Sequence, residues 1–282
     1  LLAAFCLFTL LGWAPNAFAA NTTGKGLLIS PLYQYVKIDA GSPKAGSFTI
    51  ADLNNTPMTV TLSVKQFSVA DYTYDYQFSN PANDWLKLGL TQVTLQPGQS
   101  QQISYSLLAP AGTAPGGYYY TVFASANLAN GGISATVQAA TLLYVTVSGQ
   151  LITTGQLDSS SVERVSFGKQ ITYRLTTTNT GNVYYFAYFS GNIHGLFTHA
   201  DTAPVTHLLF PGKARQITGA IPAPVLPGIY KATYGYRTDS GASVMQTRYV
   251  LFIPPWFIVL VLIVVLVGSK LYRRKPPATK PA

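Results

Sequence analysis

Hydrophobic and polar residues alternate along most of this chain, in short runs rich in Val, Ile, Thr, Tyr and Phe. Clusters of Gly, Pro, Asn and Ser separate the runs at intervals of roughly ten residues. Between the two ends, no window of about a dozen residues shows the 3.6-residue period of an amphipathic helix. Because successive side chains of a strand point to opposite faces, the pattern predicts an all-β fold of immunoglobulin-like β-sandwiches.

An internal repeat predicts two such domains. The segment "LQPGQSQQISYSLLAPAGTAPGGYYYT" begins at Leu95, and "LFPGKARQITGAIPAPVLPGIYKAT" begins at Leu209. Both contain a Pro-Gly pair, an alternating strand, a further Pro and a second Pro-Gly pair followed by Tyr. Pro-Gly suits the centre of a type II turn, so these residues are scaffold. Each unit has the size of one sandwich, which predicts domains over residues 20–149 and 150–250.

The two ends of the chain are apolar. Residues 1–20 carry no charge and include Ala17-Phe18-Ala19, so we predict a secretory signal over residues 1–19, with a clipped start. Residues 251–269 are also uncharged, and "KLYRRK" follows them. This predicts a single membrane-spanning helix over residues 253–269 and a basic cytoplasmic tail over 270–282, which leaves residues 20–250 outside the cytoplasm. The predicted anchor residues are Trp256, Lys270, Arg273, Arg274 and Lys275.

Charge and cysteine content narrow the class of protein. The net charge is +9, but five of the 18 Lys and Arg lie in the tail, so 13 remain against nine Asp and Glu. These charges are spread thinly, which argues against nucleic-acid binding. The one cysteine, Cys6, lies in the predicted signal, so the exported chain has no internal disulfide. An exported domain without disulfides is mildly more typical of a bacterial surface.

Residues with the potential for catalysis or metal binding do not form a recognised motif. His194, His199 and His207 lie near Asp201, but their spacing matches no known ligand pattern, so we predict no metal site and no cofactor. Asp71, Asp75 and Asp84 are the only local group of carboxylates, and neither a nucleophile elbow nor a phosphate-binding glycine loop is present. We therefore predict that the chain is not an enzyme.

Aromatic residues are the one enriched type with binding potential. In "ADYTYDYQFSNP", residues 70–81, Tyr and Phe occupy alternate positions, which on a strand would make one face wholly aromatic. This stretch has no counterpart in the second repeat, so we predict a hairpin-like excursion whose aromatic face is either core or a partly open binding surface. Three consecutive tyrosines at 118–120 must also place at least one ring away from the core. The predicted ligand-binding residues are Tyr72, Tyr74, Tyr76, Tyr118 and Tyr119, with Trp85 packed inward; edge strands of sandwiches also carry Tyr without binding anything.

Four segments carry a resemblance to a known family: "LLISPLYQYVKIDAG", "GSFTIADLNNTPMTVTLSVKQFSV", "DWLKLGLTQVTLQPGQSQQISYSLLAPAGTAPGGYYYTVF" and "TLLYVTVSG". In this order they resemble the N-terminal domain of bacterial WxL-interacting proteins, over residues 27–149. The resemblance implies a surface adhesin or scaffold whose first domain binds peptidoglycan and whose second binds proteins. Family members commonly have His where this chain has Tyr118, so a role of that His is not carried over.

Two functions follow from these patterns. The first is a non-enzymatic cell-surface protein that binds wall glycan or a surface protein. The alternative is a chaperone-like accessory protein that adds its strand edge to an exported partner, and it predicts an unpaired strand edge in the first domain. The sequence predicts no oligomeric state.

Overall fold

The computed structural model describes residues 26–130, 133–195 and 198–273. The predicted signal, residues 1–19, and the part of the predicted tail after residue 273 lie outside these residues. The described residues form nineteen strands followed by one helix, which confirms the all-β class with a single C-terminal helix.

The first ten strands form two facing sheets. One has the order β1-β3-β8-β6; the other has the order β2-β10-β9-β4-β5, with β7 also paired to β4. The strands are β1 Leu27–Ser30, β2 Tyr33–Ile38, β3 Lys44–Asp52, β4 Met58–Val69, β5 Tyr76–Ser79, β6 Leu86–Leu88, β7 Gln92–Leu95, β8 Ser100–Leu107, β9 Gly116–Asn130 and β10 Ile133–Val147.

Alternation along these strands builds the core of the first domain. In β4, Met58, Val60 and Leu62 are buried while the residues between them are exposed. In β8, Ile103 and Leu107 are fully buried in the same way. Each such side chain contributes about 1.5–3 kcal/mol when it leaves water, so burial of the two inner faces holds the sandwich together.

The remaining strands form a second pair of sheets. One has the order β11-β13-β17; the other has the order β12-β19-β18-β14-β15, with β16 also paired to β14. The strands are β11 Gly155–Val162, β12 Val165–Ser166, β13 Gln170–Asn179, β14 Tyr185–His194, β15 His199–Asp201, β16 Val205–Leu209, β17 Ala214–Pro222, β18 Gly228–Thr238 and β19 Ser243–Phe252.

The repeated Pro-Gly turns have matching backbone conformations in the two halves. Gly98 and Gly212 have φ of 73° and 67°, the left-handed value that the third residue of a type II turn requires. In the first half, the Gly98 N–H donates to the carbonyl of buried Asp52 at 3.0 Å, and in the second the Gly212 N–H donates to buried Asn179 at 2.8 Å. Asp52 and Asn179 each end a strand, so both turns close on equivalent points of the repeat.

The helix α1, Pro255–Arg273, follows β19 after only Ile253 and Pro254. Its 18-residue stretch Pro255–Tyr272 is apolar enough to cross a membrane, and none of it is buried against the sandwiches. Among the described residues it is the one helix with these properties.

Candidate functional site

The segment between β4 and β5 does not form the single aromatic face that strict alternation would give. β5 turns back along β4, with Val69 opposite Tyr76, so the predicted hairpin-like excursion is present. However, Tyr72 and Tyr74 have φ of 67° and 62°, the left-handed region that non-glycine residues seldom adopt. Two such residues reverse the course of the backbone, so these two tyrosines point elsewhere than Tyr76 and Phe78.

Tyr74 is buried against the second domain. Its hydroxyl accepts a hydrogen bond from the Phe210 N–H at 3.3 Å and donates to the Lys213 carbonyl at 3.4 Å. The guanidinium carbon of Arg215 lies 4.3 Å from the centre of its ring. Burial raises the pKa of Tyr74 to about 12, although the hydrogen bond from Phe210 and the positive charge of Arg215 act in the opposite direction. Tyr74 is therefore a neutral anchor between the domains.

The backbone beside Tyr74 extends a sheet of the second domain. The Tyr72 N–H donates to the Ala214 carbonyl at 2.7 Å, and the Asp71 carboxylate accepts from the Ala214 N–H at 2.9 Å. Tyr72 forms an isolated parallel bridge with Arg215, on the outer side of edge strand β17. We call residues 70–75 the docking loop, because it attaches the first domain to an otherwise free edge of the second.

A cluster of rings continues this attachment. The centre of the Phe210 ring lies 4.8 Å from that of Tyr119 and 6.0 Å from those of Phe67 and Tyr144. Tyr184 lies 5.5 Å from Tyr144. Aromatic pairs at these separations contribute about 0.5–1.5 kcal/mol each beyond their burial. We call these five residues the aromatic joint, because they place one continuous apolar cluster across both domains.

The structure does not bring the five predicted ligand-binding tyrosines together. Tyr74 and Tyr119 are enclosed between the domains, and burial raises the pKa of Tyr119 as well. Tyr72 and Tyr76 are about half exposed. Tyr118 lies apart from them, 4.6 Å from Trp85, which is half-buried against the first-domain core as predicted. Whether any of them binds a ligand stays a prediction.

The histidines separate into two places. The His199 Nε2 lies 2.6 Å from the Asp201 carboxylate, and its Nδ1 lies 3.3 Å from the Nδ1 of His194. His207 instead packs against Phe189, and burial lowers its pKa. Among the described residues, no group of three or more His, Cys, Asp or Glu side chains is placed to hold a metal ion.

An edge of β10 is the feature that the sequence did not locate. β10 pairs with β9 over its whole length, but with β2 only from Leu142 to Val147. Within the part of the chain that the structure describes, residues 133–141 therefore have a neighbouring strand on one side alone. The length of the run "ISATVQAATLLYVTV" was the available signal, since its fifteen residues exceed the six of β2.

The direction of the free backbone groups follows from the paired half of β10. The Leu142 N–H donates to Leu32, on the β2 side, and hydrogen-bonding direction alternates along a strand. Thr136, Gln138 and Ala140 therefore direct both their N–H and their C=O away from β9, toward the side without a strand. These three residues alone make three donors and three acceptors available at this edge.

The side chains of the free edge differ between its two faces. Val137 and Ala139 are half-buried and pack on the core of the first domain. On the other face, the Thr136 hydroxyl donates to Asn127 at 2.9 Å and the Gln138 amide donates to Ser125 at 2.9 Å. These bonds hold β10 on β9, so the edge is a preformed template whose inner face is apolar and whose outer face is polar.

The fold and this edge define the class: an all-β protein of two tandem immunoglobulin-like sandwiches with a C-terminal apolar helix.

No family model and no curated protein matches the chain. Among solved structures it is similar to the class 5 fimbriae chaperone CfaA, with 13% identity over 79% of this chain and 99% of that one, at a TM-score of 0.46. The E. coli chaperone DraB has 11% identity over 81% of this chain and 97% of its own, at a TM-score of 0.37. The periplasmic chaperone SfaE has 12% identity over 81% and 100%, at a TM-score of 0.38. At these values the likeness says nothing about what this chain binds.

Proposed function

We propose that the chain is a membrane-anchored accessory protein that binds an extended segment of an exported surface protein by strand addition at the free edge of β10. The observation that carries this proposal is the stretch 133–141 of β10, which among the described residues has a neighbouring strand on one side only, whereas the rest of β10 is paired on both sides. No catalytic residue and no cofactor is part of the proposal.

Strand addition supplies both affinity and selectivity at this edge. Each backbone hydrogen bond contributes about 0.5–1.5 kcal/mol net, so bonds to Thr136, Gln138 and Ala140 give only modest affinity. Further affinity comes from apolar side chains of the partner that cover Val137 and Ala139, which are half-buried beside the first-domain core. The preferred partner is therefore an extended segment with alternating apolar residues.

The paired half of β10 fixes the position of the free half. Leu142 and Tyr144 lie in the cluster that crosses both domains, while the same strand continues outward to Ile133. A strand held in this way loses little conformational freedom when a partner binds, so less of the binding free energy is lost to ordering. The helix α1 then holds the edge at the membrane, where its effective concentration toward a partner in the same envelope is high.

Site-specific photo-crosslinking in the cell that produces the chain tests the proposal. A photoreactive phenylalanine at Ala140, on the free edge, is expected to crosslink one main exported protein. The same residue at Ser104, on the outer face of β8, is the control and is expected to crosslink weakly. Equal products at both positions, or none at Ala140 while the chain is folded and exported, would contradict strand addition here.

A second candidate function is glycan binding by the first domain, which the resemblance to WxL-interacting proteins implies. The observation that favours it is an open groove of about 720 Å³ beside Trp85, lined also by Asn83, Asp84, Lys87 and Leu108. A partly buried Trp ring next to an amide and a carboxylate is a suitable platform for a sugar.

Sedimentation with insoluble peptidoglycan tests the glycan candidate. The full chain in detergent is expected to co-sediment, and Trp85→Ala to reduce the bound fraction at least about threefold because the stacking surface is lost. Tyr249→Ala, which removes an exposed aromatic ring of the second domain outside the groove, is the matched control. Equal sedimentation of the wild type and Trp85→Ala would exclude this groove.

A further inference from the structure

The end of the second domain from which α1 leaves carries an unusual set of exposed apolar side chains. β19 ends at Phe252, and the helix begins at Pro255. The three residue steps from Phe252 to Pro255 span at most about 11 Å. If α1 spans a bilayer, as the proposed function requires, this end of the domain therefore lies within the headgroup layer or directly on it.

Three strands place apolar side chains in one row at this end. Val165 of β12 lies opposite Leu251 of β19, and Leu251 lies opposite Ile229 of β18. All three are exposed, and Ile229 retains 72% of its accessible surface. The neighbours Val250 and Phe252 are buried, so the row lies on the outer face of the sheet rather than in the core.

Two loops at the same end of the domain carry further exposed apolar side chains. Phe167 follows β12, and Val225 and Leu226 precede β18; all are exposed, Val225 at 75%. The Ala223 N–H donates to the Lys169 carbonyl at 3.0 Å, which joins the two loops. We call the set the basal face: Val165, Phe167, Val225, Leu226, Ile229 and Leu251.

Basic residues adjoin the basal-face residues along the chain, and Arg164, Lys169 and Lys231 are all exposed. Arg164 precedes Val165, Lys169 follows Phe167, and Lys231 follows Ile229, while Glu163 is the neighbouring acid in these segments. Lys and Arg next to apolar side chains are typical of surfaces that bind anionic lipid. Trp256, half exposed in the first turn of α1, is also a residue type enriched at that depth.

We propose that the basal face rests in the anionic headgroup layer of the same bilayer that α1 crosses. The inference depends on the membrane anchoring in the proposed function, and it adds a second, peripheral contact. Scattered exposed apolar residues need no explanation, but these six lie at the end of the domain that adjoins the apolar helix, where the bilayer that α1 crosses is the nearest apolar phase. The contact fixes the tilt of the second domain relative to the bilayer. Because the aromatic joint connects the two domains, it also fixes the orientation of the first domain.

The basal contact also sets the distance between the free edge of β10 and the bilayer. β14 begins at Tyr185, in the cluster that reaches the first domain, and ends at His194, opposite Lys231 near the basal face. Its ten residues span about 33 Å. The first domain and its β10 edge are therefore held beyond the second domain, at a defined height above the lipid. Without the basal contact, the two domains could tilt about the start of α1.

Depth-dependent fluorescence quenching tests the proposal with the full chain in nanodiscs of phosphatidylcholine containing about 30% phosphatidylglycerol. In a Cys6→Ser background, an environment-sensitive dye is attached to Val225→Cys on the basal face, to Val261→Cys in α1, or to Ser240→Cys. Ser240 lies in the exposed turn between β18 and β19, at the other end of the domain. Lipids with a quencher near the headgroup are expected to quench the Val225 probe at least about twofold more than the Ser240 probe.

The three probe positions test the basal contact and the membrane anchoring separately. Equal quenching at Val225 and Ser240, with strong deep quenching at Val261, would overturn the basal contact and leave the anchoring intact. Absence of deep quenching at Val261 would overturn the anchoring and the inference together. Ile229→Asp in the Val225→Cys chain is expected to lower the quenching toward the Ser240 value, because a carboxylate is repelled by the lipid charge. Unchanged quenching in that variant would show that the dye, not the protein surface, enters the lipid.

Discussion

Replacing Phe210 with alanine is expected to lower the free energy of unfolding by about 3–5 kcal/mol, as measured by chemical denaturation of the chain in detergent. Phe210 is only 4% exposed, and its ring meets rings of the first domain on one side and the second-domain core on the other. The cavity left by the alanine cannot be filled by either domain alone. We also expect the two domains of Phe210→Ala to unfold in separate transitions, because the aromatic joint is the apolar contact that couples them.

Phe78→Ala is the matched control for the joint. Phe78 belongs to the same predicted aromatic stretch, but 46% of its surface is exposed, so the same chemical change is expected to cost about 1 kcal/mol or less. If both variants lost a similar free energy of unfolding, the aromatic joint would contribute no more to stability than an exposed ring does. A single cooperative transition in Phe210→Ala, at an unchanged midpoint, would contradict the joint outright.

Replacing Gln138 with proline is expected to weaken partner binding at least about tenfold without unfolding the first domain. Position 138 directs its N–H outward, away from β9, so proline removes a donor that only a partner uses. The ring also occupies space beside the free edge, where an added strand would lie. Proline is tolerated on edge strands for the same reason, and circular dichroism is expected to show an unchanged fold.

Gln138→Ala separates the backbone effect from the side-chain effect. Both substitutions remove the hydrogen bond from the Gln138 amide to Ser125, but only proline removes the outward N–H. Affinity for the protein identified by crosslinking, measured by calorimetry, is expected to stay within about threefold of wild type for alanine. Equal losses for alanine and proline would mean that the side chain, and not strand addition, carries the binding.

The alternation along the strands predicted the fold class well, because burial of one face per strand is a local property of the sequence. It also predicted the excursion at residues 70–81, since no repeat counterpart exists there. It did not predict where Tyr74 points. Its positive φ and its contacts with Phe210 and Arg215 depend on residues about 140 positions away, and such contacts leave no periodic signal.

The sequence did not locate the free edge of β10 for a different reason. A strand pattern shows which face is buried, but it does not show which neighbour covers each edge. The unpaired half of β10 alternates apolar and polar residues, and the paired half "LLYVTV" is apolar at nearly every position, but both patterns describe the faces of the strand and not its edges. Only the register shows that β2 begins opposite Leu142 and leaves the preceding residues without a second partner.

The joint, the free edge and the basal face form one arrangement. On the proposed function, the basal face and α1 set the position of the second domain, while the docking loop and the aromatic joint attach the first domain, which carries the free edge of β10. We propose that this arrangement holds the free edge at a fixed place on the envelope. Specificity would then come from the alternating apolar side chains of the partner strand, which must match Val137 and Ala139 on the inner face.

Residue-resolved hydrogen exchange of the β10 amides, with and without the crosslinked partner, tests the central claim most directly. The free-edge amides of Thr136, Gln138 and Ala140 are expected to exchange quickly alone and at least about tenfold more slowly in the complex, because each gains a hydrogen bond. The amides of Val137 and Ala139, already bonded to β9, are expected to change little. A bound partner that leaves the exchange of Gln138 and Ala140 unchanged would show that the edge of β10 does not take up a strand.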